Sequence, residues 1–212
     1  SAGVSQSVSL REGQSAQTHG GTPHVVIIGF GPVASRLVEE LLPEVRSGAL
    51  RLTIIGREDR AAYQRIRIGD VSVGRIEPED LVMDDIASLQ AEGAEVLLGV
   101  EVTALDAAAH TLVLTDRVLS YTKLVLATGS YPFVPPIEGA EGDSRLVYRT
   151  LDDLDGIRAA ATGKRRGVVV GGGLLGLEAA NALKSLGLEA HVVEFAPRLM
   201  PVQLDDAGGA AL

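Results

Sequence analysis

The chain has 212 residues, 46% of them apolar, enough to bury one large core or two small ones, and its formal net charge is −9. That charge excludes a nucleic-acid surface, which needs clustered Lys and Arg, so any bound phosphate must be held mainly by local geometry. The absence of cysteine removes disulfides, thiolate metal ligands and redox-active cysteine pairs. His19, His24, His110 and His191 are scattered without the spacing of a helical zinc site, so no metal is expected. No apolar run approaches the roughly 20 residues that span a bilayer. The expected setting is cytoplasmic, with neither a membrane nor a nucleic acid as partner.

Residues 1–22 are rich in Ser, Gln and Gly without an apolar block, and they read as a disordered leader. Order is expected to begin with His24-Val25-Val26-Ile27-Ile28, which stops at Gly29 and gives way to a helical pattern placing Val33, Leu37 and Leu41 on one face. Residues 50–55, rich in β-branched side chains and Leu, suit a parallel strand covered on both faces, which completes a βαβ unit. A short helix is predicted over 78–92 and a strand over 95–98. A meander follows over 100–121, with turns near 107–109 and 116–117, and then a buried strand over 123–127. Pro132, Pro135 and Pro136 make 130–142 an extended connection, and the domain boundary is placed there. After a helix around 151–161, a second βαβ unit runs from Gly167 through a helix over 174–186 to a strand over 190–194, so the nucleotide-binding pattern recurs.

The second glycine turn, Gly171-Gly172-Gly173-Leu174-Leu175-Gly176, has the full G-x-G-x-x-G pattern between strand and helix. Gly171 permits the tight bend, Gly173 lets the backbone approach a pyrophosphate, and Gly176 lets helix and strand pack closely. The helix start adds unpaired N–H groups and a positive dipole end. Glu194 closes the next strand, where a carboxylate accepts hydrogen bonds from the adenosine ribose. This favours NADH over NADPH, although Arg198 could partly offset the repulsion of a 2′-phosphate. The first turn, Gly29-Phe30-Gly31-Pro32-Val33-Ala34, keeps two glycines and has Ala34 in place of the third; Pro32 suits a first-turn position, where a missing N–H is no loss. Its ribose acid stays open between two readings: either Arg57 has replaced it, or Glu58 takes the role.

The segment from Lys123 to Pro132, Val147-Tyr148-Arg149-Thr150, the run from Gly171 to Ala180 and Glu194-Phe195-Ala196-Pro197-Arg198 together resemble the N-terminal flavoprotein part of the NADH-dependent assimilatory nitrite reductase large subunit. The resemblance implies an α/β chain: a Rossmann-like three-layer FAD-binding domain over 23–142, followed by the start of a second Rossmann-like NADH-binding domain over 143–212, truncated from a longer chain. It implies an FAD pyrophosphate over Gly29, Gly31, Pro32 and Val33, adenine against the Val102 backbone, and the flavin side against Ala127, Thr128 and Gly129. Ala62-Tyr63-Gln64-Arg65 is similar to the family's A-Y-x-R segment, which puts Arg65 near the pyrophosphate or flavin, with an ordinary surface cation as the alternative. Glu178, assigned to the first turn of the second glycine helix, would face the nicotinamide or else be a solvated carboxylate. The family's Leu-Ser pair after Arg65 is replaced by Ile66-Arg67-Ile68-Gly69-Asp70.

The activity so implied passes hydride from NADH to FAD and electrons to a downstream redox domain or small electron-transfer protein, in nitrite reduction to ammonia. The iron–sulfur cluster and sirohaem of that reaction would belong to a later region. No catalytic side chain is expected, because the cofactors carry the chemistry. Alternative readings are a stand-alone ferredoxin or rubredoxin reductase and a non-catalytic nucleotide-binding module; a homodimer is one option for assembly.

Overall fold

The computed structural model describes residues 21–139, 142 and 145–212, so the predicted leader lies outside the described residues apart from Gly21 and Thr22. Four parallel strands, β1 (His24–Ile28), β2 (Arg51–Ile55), β3 (Glu95–Leu97) and β7 (Lys123–Leu126), form a sheet in the order β3-β2-β1-β7. The intervening β4 (Val102–Asp106), β5 (Thr111–Leu114) and β6 (Val118–Ser120) make an antiparallel sheet. Beyond it β8 (Arg166–Val170) and β9 (Glu189–Val193) pair in parallel.

The period-2 alternation of the strands builds three layers. Ile27, Leu52 and Ile54 face one side, where they pack with Ala34 and Val38 of α1 (Pro32–Arg46) and Leu89 of α3 (Ile86–Ala91). Val26 and Ile55 face the other side and meet Leu112 and Leu114 of the antiparallel sheet. β2 is therefore covered on both faces, as its composition predicts. The meander turns also fall where expected: Asp106 Oδ1 accepts from the amides of Ala108 and Ala109, each at 2.9 Å, and Leu114 N–H donates to Arg117 O at 2.8 Å. Residues 130–139 and 142 contain neither helix nor strand, in keeping with the prolines.

Three sequence expectations are corrected. The helix over 78–92 is two pieces, a 3₁₀ turn Pro78–Leu81 and α3, because Val82 is extended, bridges Tyr63, and leaves Asp85 to cap a fresh start. Asp85 Oδ1 accepts from Ala87 N–H at 3.2 Å, an N-cap that begins the second piece. Val33 does not share the core face of α1; it is 75% exposed, while Ala34, Ser35, Val38 and Val45 form the buried stripe and Leu37 and Leu41 flank it. The strand after residue 122 is not buried, since it sits at the sheet edge with Lys123 exposed and Leu126 63% exposed. A short helix α2 (Ile68–Ser72) and a C-terminal α6 (Asp206–Ala211) were not anticipated.

A further core joins the two glycine units: Tyr63, Ile68, Val71 and Leu81 pack against Leu151 and Leu154 of α4 (Leu151–Ala161). Helix α4 carries a capping box in which Thr150 Oγ1 accepts from Asp153 N–H and the Asp153 carboxylate accepts from Thr150 N–H. Helix α5 (Leu174–Ser185) lies on α2: Ser185 Oγ donates to Ser72 O at 2.9 Å, and the Glu178 carboxyl packs on Gly69. Burial, then the charge of Asp70, pushes the Glu178 carboxyl above its usual range. No helix among the described residues is long and apolar enough to cross a membrane.

Two expected outcomes test this architecture. A Cβ at Gly176 would lie 1.9 Å from Gly171 O; Gly176→Ala is therefore expected to destabilise the fold by about 2 kcal/mol or more, read as a lowered urea midpoint. An acid whose folded-state pKa is raised costs stability above that pKa and none well below the ordinary value. Glu178→Gln should therefore raise the thermal midpoint at neutral pH, with the gain vanishing in acid below the carboxyl range. Calorimetry at both pH values checks the sign, and no gain at neutral pH contradicts it.

Candidate functional site

The strand-to-helix bend sets the geometry of both units. Gly29 has φ +101°, and a Cβ there would fall 2.2 Å from Ala127 O. Its N–H donates to Ile55 O at 2.8 Å, which closes β1 against the end of β2. In the second unit Gly171 has φ +115° and its N–H donates to Val193 O at 2.8 Å. Helices α1 and α5 then start under Gly31 and Gly173, whose backbones are extended and whose added Cβ would meet nothing within 4 Å. Only that open side lets a ligand reach the unpaired N–H groups of the first helical turn.

A cleft of about 930 Å³ opens at the carboxyl ends of β1, β2 and β7. It gathers Gly29, Gly31, Pro32, Val33, Arg57, Glu58, Arg65, Val102, Ala127, Thr128 and Gly129, the whole set predicted for the first site. Size and placement suit a large nucleotide, since ligand crevices of parallel α/β sheets lie beyond the carboxyl ends of the strands.

The strand-end registers decide which residue corresponds to Glu194. Ile55 and Val193 play the same part in the two closures, so Gly56 is the counterpart of Glu194 and Phe30 that of Gly172. The pairs are reciprocal in bulk. A Cβ on Gly56 would come within 3.2 Å of Leu98 and 3.3 Å of Phe30, whereas a Cβ on Gly172 would come within 2.6 Å of Leu199 and 3.0 Å of Glu194. The first unit thus has no acid in the equivalent place. Arg57 instead lies 4.8 Å from the Tyr131 ring centroid and donates to its hydroxyl at 3.1 Å. Glu58 turns inward, accepting from Tyr63 Oη–H at 2.6 Å and from Arg65 Nη2 at 2.6 Å.

At the second turn the Glu194 carboxylate accepts from Ala196 N–H at 2.9 Å and from Gly172 N–H, and these amide bonds hold it below the usual carboxyl range. Arg198 is directed elsewhere: it pairs with Asp206 at 2.7 Å and donates to Pro201 O and Leu204 O. Gly171, Gly173, Gly176 and Glu194 therefore cluster at one bend. Glu178 does not join them. It is the fifth residue of α5, past the first turn, and lines a small hollow with Arg67, Asp70, Arg75 and Asn181.

Several cleft residues escaped the sequence reading. Tyr131 and Arg149 line the cleft, Arg149 Nε donates to Ser130 O at 2.8 Å, and Arg60 pairs with Asp152 and Asp155 at the rim. Tyr63 stands behind the cleft wall and belongs to the A-Y-x-R segment, two residues before Arg65, which is a local sequence signal for it. Among the described residues no group of three or more His, Asp or Glu could hold a metal.

The chain is 47% identical over 193 residues to the nitrite reductase [NAD(P)H] large subunit of Klebsiella oxytoca, covering 90% of this chain and 20% of that protein. It is 41% identical to the nitrite reductase (NADH) large subunit of Escherichia coli K12, covering 89% of this chain and 22% of that one. The chain thus spans about a fifth of the length of these relatives. Among solved structures, the water-forming NADH oxidase from Lactobacillus brevis bound to NADH superposes with a TM-score of 0.78 at 25% identity, covering 89% of this chain and 43% of the other. A profile for the pyridine nucleotide-disulphide oxidoreductases matches residues 23–212, and the chain belongs to that family.

Proposed function

We propose that this chain is the nucleotide-binding part of an NADH-dependent flavoprotein of the nitrite reductase large-subunit type. In this reading residues 23–142 hold FAD and residues 143–212 hold the nicotinamide cofactor. The observation that carries it is the repeated bend: two strand ends, two glycines closing onto the neighbouring strand, and two helix starts left open at Gly31 and Gly173. The names of the relatives from Klebsiella oxytoca and Escherichia coli support the nitrite assignment and the nicotinamide donor.

The chain's own residues bind and orient. At the first bend the amides of Val33 and Ala34, unpaired at the start of α1, would take one diphosphate, and Gly31 keeps the approach clear. Pro32 removes a donor that the helix could not use. The cleft wall at Ala127, Thr128 and Gly129 would lie beside the flavin, and Val102 beside the adenine. At the second bend Glu194 would accept the ribose hydroxyls, because each carboxylate oxygen has a second acceptor position beyond its amide bond. Arg198 is engaged with Asp206 and so is less able to offset a 2′-phosphate, which favours NADH. When both are bound, the cofactors supply hydride transfer from nicotinamide to flavin and delivery of electrons to a downstream redox domain or small electron-transfer protein.

The visible spectrum of the purified chain supplied with FAD is the primary test. Flavin bands that bleach on NADH addition are expected, and a protein that retains no flavin refutes the reading. Gly31→Ala and Gly173→Ala separate the two sites. Each added methyl enters open space in an extended backbone, so the apoprotein should melt as the wild type does. Gly31→Ala should weaken flavin retention and Gly173→Ala should weaken NADH binding, each on the order of tenfold and without the converse effect. Isothermal titration with each cofactor reads both.

A further inference from the structure

Tyr63 does not line the cleft, yet its hydroxyl stands at the centre of the polar groups that do. The residue is 3% exposed. Its hydroxyl donates to Glu58 Oε2 at 2.6 Å, and accepts from Arg65 Nη1 at 2.8 Å and from Leu151 N–H at 3.3 Å. A phenol offers one donor and two acceptor positions, and all three are used. The Arg65 guanidinium lies 4.7 Å from the centroid of the same ring, donates to Arg149 O at 3.3 Å, and pairs with Glu58 at 2.6 Å. Three chain segments, the exit of β2, residues 63–65 and the start of α4, are thereby tied to one oxygen.

We propose that Tyr63 is a positioning residue for the first cleft, holding Arg65 in the one orientation in which it meets the anionic portion of a bound FAD. Three of the five guanidinium N–H groups of Arg65 are spent on Tyr63, Arg149 O and Glu58, which leaves two for a ligand. A free arginine would have to freeze its long side chain on binding. Here Glu58 and Tyr63 have frozen it already, and that preorganisation lowers the cost of capture. The inward turn of Glu58 has the same cause: Oε1 accepts from Arg65 and Oε2 from the Tyr63 hydroxyl that also bonds Arg65, so it serves as the anchor of the cation. This inference rests on the reading of the first cleft as the FAD site.

The test is a binding cycle on the full chain. FAD dissociation constants are measured by flavin fluorescence for the wild type, Tyr63→Phe, Arg65→Met and the double variant, with the melting temperature of each apoprotein. Tyr63→Phe should weaken FAD binding about tenfold when Arg65 is present and less than about twofold in the Arg65→Met background, since a hydrogen bond to a charged group is lost only where that group exists. Equal losses in both backgrounds, or none in either, overturn the proposal. Wild-type protein that binds no FAD overturns the cleft reading itself, and the proposal with it. Should Tyr63→Phe fail to fold, Glu58→Gln carries the same cycle: it must weaken FAD binding with Arg65 present and spare it without, and any other pattern overturns the assignment.

Discussion

The structure depends on one backbone contact made twice. A glycine amide at the end of one strand donates to the last carbonyl of its neighbour, and the chain bends into a helix within three residues. That bend needs positive φ, which Gly29 and Gly171 supply without strain. At Gly29 it also needs a missing side chain, because Ala127 O fills the place of a Cβ. Once the bend is fixed, sheet order and core packing follow from the alternating apolar faces of β1 and β2, and the helix start points at the crevice above the strand ends.

An acidic chain can offer a phosphate site on these terms because the attraction is local. Backbone amides and the helix dipole act over a few ångströms, whereas the net charge of −9 is spread over the surface and screened beyond a Debye length. The arginines of the cleft are also held in place. Arg57 stacks on Tyr131, Arg60 pairs with Asp152 and Asp155, Arg65 pairs with Glu58, and Arg149 bonds a carbonyl. The guanidinium groups are oriented by their neighbours within the chain, a feature that net charge does not convey.

The two βαβ units were legible in the sequence because each is written locally: an apolar run, glycines at fixed offsets, then a period of 3.6. Of the first-site residues Gly29, Gly31, Pro32 and Val33 belong to that local pattern, whereas Arg65, Val102, Ala127, Thr128 and Gly129 were implied by the resemblance and reach the same cleft through the strand order. What stayed hidden depends on distant partners. The break at Val82 follows from its bridge to Tyr63, and the exposure of Leu126 from its strand being at the sheet edge. Glu58 looks like a ribose acid until the strand-end register is seen to give the place of Glu194 to Gly56, with Glu58 two residues further on and turned towards Tyr63 and Arg65. The pairing of Arg57 with Tyr131 spans 74 residues and leaves no local trace. Val33 was misplaced because a valine at helix spacing suggests a core position, although near the bend that direction faces the cleft.

The reciprocal bulk of Phe30 with Gly56 and of Gly172 with Glu194 makes the two bends non-equivalent in a way that constrains how either can change. A side chain introduced at residue 56 would crowd Leu98 and Phe30, and one introduced at residue 172 would crowd Leu199 and Glu194. Neither bend can take on the other's pattern of bulk by a single replacement; the change must reach the neighbouring side chains as well, through an intermediate that is either overfilled or hollow. The two bends are thus held apart in shape by volume as much as by charge.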